Sequence, residues 1–175
     1  IQLGNLPVTP YIRDEQLPAL LRPEAHAGKR VVRLKGGDPF MFGRGGEELE
    51  LLAEHGIPYE IVPGVTSPLS VPAYNGIPVT HRDFTSSLHI ITGHKRKGQE
   101  YDIDFEALVR TRGTLVFLMG ITAMADICDG LLKGGMDPDT PAAVLQKGTT
   151  ARQKRVVATV STLKAASDAA KIETP

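Results

Sequence analysis

The chain has 175 residues, 20 basic and 20 acidic, with a hydrophobic content of 41%. That length holds one large or two small domains, and the charge balance excludes a broadly basic nucleic-acid binder unless cations gather locally. A single cysteine, Cys128, excludes an internal disulfide and a thiolate metal cluster, and no apolar run reaches the length of a membrane span.

The chain opens on IQLGNLPVTPY, without a methionine and without a charged leader ahead of an apolar core. No secretory signal is therefore expected, and the segment reads as the continuation of an upstream part. DEQLPALLRPEAHAGK carries helix formers interrupted by Pro18 and Pro23. An interior proline costs a helix about 3 kcal/mol, so a short helix is expected to begin near Pro18 and break near Pro23. VVRL, residues 31–34, reads as a short buried strand without alternation. A helix from about Gly46 to His55 follows, with Glu47 and Glu48 in its first turn and Gly56 as its stop. YEIVPG, residues 59–64, is expected as the next strand, which makes an α/β unit. A small-residue helix from Thr66 to Tyr74 carries Pro68 near its first turn, where a missing amide costs nothing.

GIPVTHRDFTSS, residues 76–87, reads as the connector between two regions, and the expected domains are 1–80 and 81–175. LHIITGH is a strand, DFEALVRTRG a helix capped by Asp104 and stopped by Gly113, and TLVFLMG a second strand. A helix around Met124–Leu132 holds Cys128, read as a buried, inert thiol. PAAVLQKGT and RVVATVSTL close the chain as strands, the last with two-residue alternation.

The densest local pattern is VVRLKGGDPFMFGRGGEELELL, residues 31–52. Gly36-Gly37 directly follows an apolar run, and glycine lets backbone approach a ligand at the end of a strand. A tight turn with no ligand is the competing reading. The stretch is neither GxxxxGK[ST] nor GxGxxG, so a phosphate cradle does not fit. Arg44 and Glu47 are spaced to aim a guanidinium and a carboxylate into one pocket, to clamp a carboxylate and to hold a proton; simple support of the helix terminus is the alternative. The five histidines form no HExxH, and His89 and His94 fall on opposite faces of a strand, so no metal site is expected. No GxSxG gives Ser67, Ser70 or Ser86 a hydrolase context. Arg33, Lys35, Arg44, the run His94-Lys95-Arg96-Lys97, and Lys147, Arg152, Lys154 and Arg155 would attract a polyanion if they faced one cleft. Without interleaved aromatics they do not make a base-stacking platform.

VVRLKGGDPFMFGRGGEE, VPGVTS, AYNGIPVTHRD, ITGH, LVFLMG and KGTTARQ together resemble, in that order, the uroporphyrinogen-III C-methyltransferases of the tetrapyrrole methyltransferase family. The resemblance runs from about Gln16 to Leu163. It implies two α/β domains with an S-adenosylmethionine cleft between them, the first domain incomplete because an upstream strand, a GxGPGD-type loop, a second strand and a helix do not stand in this sequence. It implies a homodimer that methylates two pyrrole carbons of uroporphyrinogen III, giving precorrin-2 on the way to sirohaem and cobalamin; from composition and the lone cysteine, a cytoplasmic location without nucleic-acid or membrane partners is expected. Gly36, Gly37, Asp38 and Phe42 correspond to the loop over the methionine part of the cofactor, with Thr66 and Ser67 lining the same pocket. Met119, Gly120, Ala142, Gly148 and Thr149 correspond to nucleoside contacts. Arg44 resembles the arginine for substrate carboxylates, and Glu47 the proton acceptor; no metal is implied. The alternatives are a non-catalytic piece that binds cofactor or a partner chain, another precorrin methyltransferase, and, from the residues alone, an anion-binding α/β module.

Overall fold

The computed structural model describes residues 27–93 and 103–174, together with Pro23. The helix expected to begin near Pro18 falls, apart from Pro23, outside the described residues, as do His26 and the run from His94 to Lys97. The chain divides by internal contacts into two compact units, Ile1–Thr66 and Ser67–Pro175. The division lies upstream of the 76–87 connector.

In the first unit Pro23, expected to break a helix, is itself helical, its carbonyl accepting the Ala27 amide at 3.1 Å, and helix α1 spans Gly45–Glu54. Its start and stop follow from sequence. Glu47 and Glu48 occupy the first turn, where carboxylates complement the helix dipole. At the other end Gly56 takes φ +63°, and the amides of Gly56 and Ile57 return to the carbonyls of Ala53 and Leu52, a Schellman cap. The runs 31–34 and 59–64, expected as strands, do not form them. A strand persists only as one side of a hydrogen-bonded ladder, and neither run has such a partner among the described residues. Their apolar side chains are left outward: Leu34 is 77% exposed and Val62 78%.

The second unit begins with helix α2, Ser67–Tyr74, which buries Pro68 and carries Pro72 within it. Strand β1, Leu88–Thr92, pairs in parallel with β2, Thr114–Leu118, in a register that sets Leu88 opposite Thr114 and Thr92 opposite Leu118. Helix α3, Phe105–Arg110, lies in the crossover between them, and Asp104 accepts a hydrogen bond from the Ala107 amide at 2.8 Å, the expected N-cap. Helix α4, Met124–Lys133, follows β2. Strands β3, Pro141–Gln146, and β4, Lys154–Thr159, form an antiparallel pair.

The stretch after β4 is not strand throughout. Helix α5 occupies Leu163–Ala169, where the expected strand was to run to Leu163. Alanine has the highest helix propensity, and LKAASDA contains three of them.

The core sits in this unit. Met124, Ile127, Cys128 and Leu131 recur at i, i+3, i+4 and i+7 on α4, so they share one face. Val144 of β3 and Val156 of β4 close against them with Val160. Each fully buried aliphatic side chain contributes about 1.5–3 kcal/mol relative to exposure. The Cys128 thiol is buried in this cluster, and burial, with the nearby Asp129 charge second, pushes it above its ordinary titration range. It is a packing residue, as its sequence context indicates.

Candidate functional site

In the first unit the GGD loop meets the PGVT segment. Gly37 adopts φ +76°, a conformation that disfavours any side chain. A Cβ at Gly64 would overlap the Gly37 carbonyl, and one at Gly37 would come within 3.4 Å of the Val65 carbonyl oxygen and 3.8 Å of the Thr66 Cα. Gly36, Gly37, Asp38 and Thr66 are thus brought together backbone to backbone. Asp38 locks the contact. Its Oδ1 accepts the amides of Phe40 (2.9 Å) and Met41 (3.2 Å), and its Oδ2 accepts the Gly64 amide at 3.3 Å. The Phe40 amide first, then those of Gly64 and Met41, hold this carboxyl below the usual aspartate range against a smaller opposing effect of burial. Asp38 therefore organises the loop with its carboxylate, while Gly36 leaves an open face where a Cβ would meet nothing within 4 Å.

The chain then turns through two left-handed residues, Phe42 at φ 53° and Arg44 at φ 57°. Such conformations cost a non-glycine residue about 1 kcal/mol or more. Arg44 is the N-cap of α1, and its Nε lies 3.4 Å from Glu47 Oε1 in an ion pair with both side chains 60% exposed. The adjacent Glu48 is engaged differently: its Oε1 lies 2.7 Å from Lys35 Nζ and 3.5 Å from Arg33 Nη2. Two of the cations considered for polyanion binding are therefore paired with a carboxylate of the same unit.

In the second unit, Gly93 and Gly120 meet just beyond the carboxyl ends of β1 and β2. A Cβ on Gly93 would lie 2.5 Å from the Gly120 Cα, and Ile127 of the core backs both glycines. The Gly93 amide bonds the Leu118 carbonyl at 2.7 Å. Met119, at φ 57°, is held with its side chain 57% exposed beside this corner. Ligands of open parallel sheets bind at such strand ends. Gly93 was not singled out from sequence, although a glycine closing an apolar strand is the signal that could have found it.

The loop joining β3 to β4 carries the other expected contacts. Lys147 and Thr149 both take positive φ, 49° and 64°, on either side of Gly148. Gly148 packs on α2, where a Cβ would overlap the Val71 side chain. The Thr149 amide donates to Gln153 Oε1 at 2.8 Å. Ser67 begins α2 and stands one turn before Val71, on the same helix face. Ala142 stands apart from these loops: it pairs with Ala158 and packs against the core. An apolar recess of about 320 Å³ beside α3, lined by Ile91, Ile103, Ala107 and Leu108, holds none of these residues. No group of three or more metal-ligating side chains occurs among the described residues.

Glycine backbone gives close approach, and exposed Met119 offers a polarisable apolar surface. The architecture is that of an α/β protein with glycine-lined loops at strand ends and an arginine–glutamate pair at a helix start. Residues 8–164 match the family model for tetrapyrrole (corrin/porphyrin) methylases. The chain is 49% identical over 163 residues to the uroporphyrinogen-III C-methyltransferase of Bacillus subtilis, covering 93% of this chain and 63% of that protein. A crystal structure of the Thermus thermophilus uroporphyrin-III C-methyl transferase complexed with S-adenyl homocysteine superposes with TM-score 0.73 at 36% identity, covering 93% of this chain and 69% of that one. A cobalt precorrin-4 methyltransferase gives TM-score 0.85 at 28% identity, covering 95% and 70%. The chain belongs to the tetrapyrrole methylase family. It spans 30% to 63% of the length of the first curated relatives it matches.

Proposed function

We propose that the protein is an S-adenosylmethionine-dependent C-methyltransferase that acts on uroporphyrinogen III at two pyrrole carbons, forming precorrin-2. The observation that carries this reading is the Arg44–Glu47 pair, 3.4 Å apart at the head of α1 and directly after the GGD loop, in a chain 49% identical to a uroporphyrinogen-III C-methyltransferase. When bound, the cofactor supplies an electrophilic methyl group on a sulfonium, so no metal is required. Arg44 receives a substrate carboxylate through its guanidinium fork. Glu47 takes the proton that the ring must lose from a neighbouring position after methyl transfer, since the methylated carbon itself carries no hydrogen, a role for a carboxylate within hydrogen-bond reach of that position. Gly36, Gly37 and Thr66, in the shape that Asp38 holds, bind the methionine end with Phe42 and Ser67. Met119, Gly120, Gly148 and Thr149 bind the nucleoside. Ala142, through its packing, supports that side.

Residues 1–80 and 81–175 serve as the two domains, and the protein works as a homodimer in the cytoplasm without nucleic-acid or membrane partners. No helix among the described residues is long and apolar enough to cross a membrane.

The test is methyl transfer from S-adenosylmethionine to uroporphyrinogen III. Glu47→Gln is expected to lower kcat by about 10²–10⁴-fold while leaving the Kd for S-adenosylhomocysteine within about threefold. A large loss of cofactor affinity would overturn the role given to Glu47. A second reading, a methyltransferase of a later precorrin, is favoured by the TM-score of 0.85 to the cobalt precorrin-4 enzyme. The product mass from each substrate separates the two.

A further inference from the structure

Asn75 and Gln153 are 78 residues apart and face each other amide to amide. Asn75 Nδ2 donates to Gln153 Oε1 at 3.3 Å, and Gln153 Nε2 donates to Asn75 Oδ1 at 3.0 Å. The orientation of each amide is dictated independently by a backbone group. The Val71 carbonyl requires a donor from Asn75 (2.8 Å), and the Thr149 amide requires an acceptor from Gln153 (2.8 Å). The two orientations so imposed are complementary, and no flip of either amide would satisfy all four groups.

The pair joins two elements that each hold expected cofactor contacts. Asn75 is the C-cap of α2; the Ile77 amide returns to the Pro72 carbonyl at 2.9 Å and the Gly76 amide to the Ala73 carbonyl at 3.0 Å, so its backbone is fixed by a Schellman cap. The same helix begins at Ser67. On the other side, the 147–153 loop places two non-glycine residues in the left-handed region, a shape that an exposed loop does not keep unaided. Gln153 supplies the side-chain acceptor for the amide of the second of them, Thr149.

We propose that Asn75 and Gln153 are positioning residues. Their reciprocal amide clasp holds the 147–150 backbone, against α2, in the shape that receives the nucleoside end of the cofactor. This rests on the proposed methyltransferase function for its ligand, whereas the holding of the loop stands on geometry alone. Two measurements on the full-length protein separate them. The first is trypsin cleavage at the exposed Lys147 and Arg152, which reads loop release without any ligand. The second is the Kd for S-adenosylhomocysteine by calorimetry, together with KM and kcat for methyl transfer.

Gln153→Ala and Asn75→Ala are each expected to speed cleavage at the loop about tenfold. Each should also raise the Kd and the KM for cofactor about tenfold, with kcat at saturation within about twofold. The double variant should be no worse than the weaker single one, because both break one device. Gln153→Glu keeps the acceptor for the Thr149 amide and should fall between wild type and Gln153→Ala. If Gln153→Ala does not fold, Gln153→Met fills a similar volume without hydrogen bonds and takes its place. Unchanged cofactor affinity in a variant whose loop is cut faster, or Gln153→Glu binding no better than Gln153→Ala, would overturn the positioning role. A wild-type protein that ignores S-adenosylhomocysteine would instead overturn the proposed function and with it the nucleoside part of this inference, and the trypsin result would still decide whether the clasp holds the loop.

Discussion

Glu48 Oε1 draws both Lys35 and Arg33, and the Lys35–Glu48 side chains are only 14% and 15% exposed, whereas its neighbour Glu47 meets Arg44 in a pair exposed to solvent. Exposed pairs add about 0–1 kcal/mol, and leaving a buried charge unpaired costs about 3–5 kcal/mol. A half-sheltered pair falls between. Glu48→Ala is therefore expected to destabilise the protein by about 1–3 kcal/mol in chemical denaturation, while Glu47→Gln stays within about 0.5 kcal/mol of wild type. Equal losses from the two would contradict the division of labour between them. Asp38 gives a prediction in pH. Its folded carboxyl titrates below its unfolded value of about 3.9, so what it adds to loop order is complete above that value and is lost as pH falls through the lower folded value. The Gly64 amide resonance should stay constant from pH 8 to pH 5 and move only in acid. In Asp38→Asn, where the acceptor of Gly64 or of Phe40 becomes an NH₂, that acid transition should disappear.

At the scale of elements, α3 and α4 meet through a glycine. A Cβ at Gly130 would lie 2.5 Å from two carbons of the Phe105 ring. Alanine gains about 1 kcal/mol of helix propensity over glycine, but overpacking costs about 1–3 kcal/mol, so Gly130→Ala should lower stability despite the better helix former. A rise in the denaturation midpoint would show that the ring can move aside. The elements legible in sequence were those with local causes. Glu47, Glu48 and Gly56 bound α1, Asp104 caps α3, and the apolar runs of β1, β2 and β3 fall where expected. What was illegible depended on distant residues. VVRL and YEIVPG have strand composition but no ladder, the Asn75–Gln153 pair spans 78 positions, and the reading of strand after β4 overlooked the alanines of α5. For the candidate site, the glycine pairs and the Arg44–Glu47 spacing were visible. That Asp38 engages backbone amides, and that Lys35 answers to Glu48, depends on loops folding back across the unit.

Taken whole, the molecule distributes its cohesion unevenly. Among the described residues, the buried hydrophobic cluster runs from Ala123 to Val160, all within the second unit. Local opening costs least where few apolar side chains are buried. Amide exchange is thus expected to be slow in β1, β2, α4 and β3 and faster by orders of magnitude across residues 29–43 and 57–65, and protection of equal depth in both units would refute this. The outward Leu34, Val62 and Val65 have one more consequence. The chain carries no formal net charge and its isoelectric point is about 7.2, so near neutral pH no mutual repulsion keeps copies apart while these side chains favour contact. Self-association, read by light scattering, is therefore expected to weaken as pH moves one or two units away from neutrality.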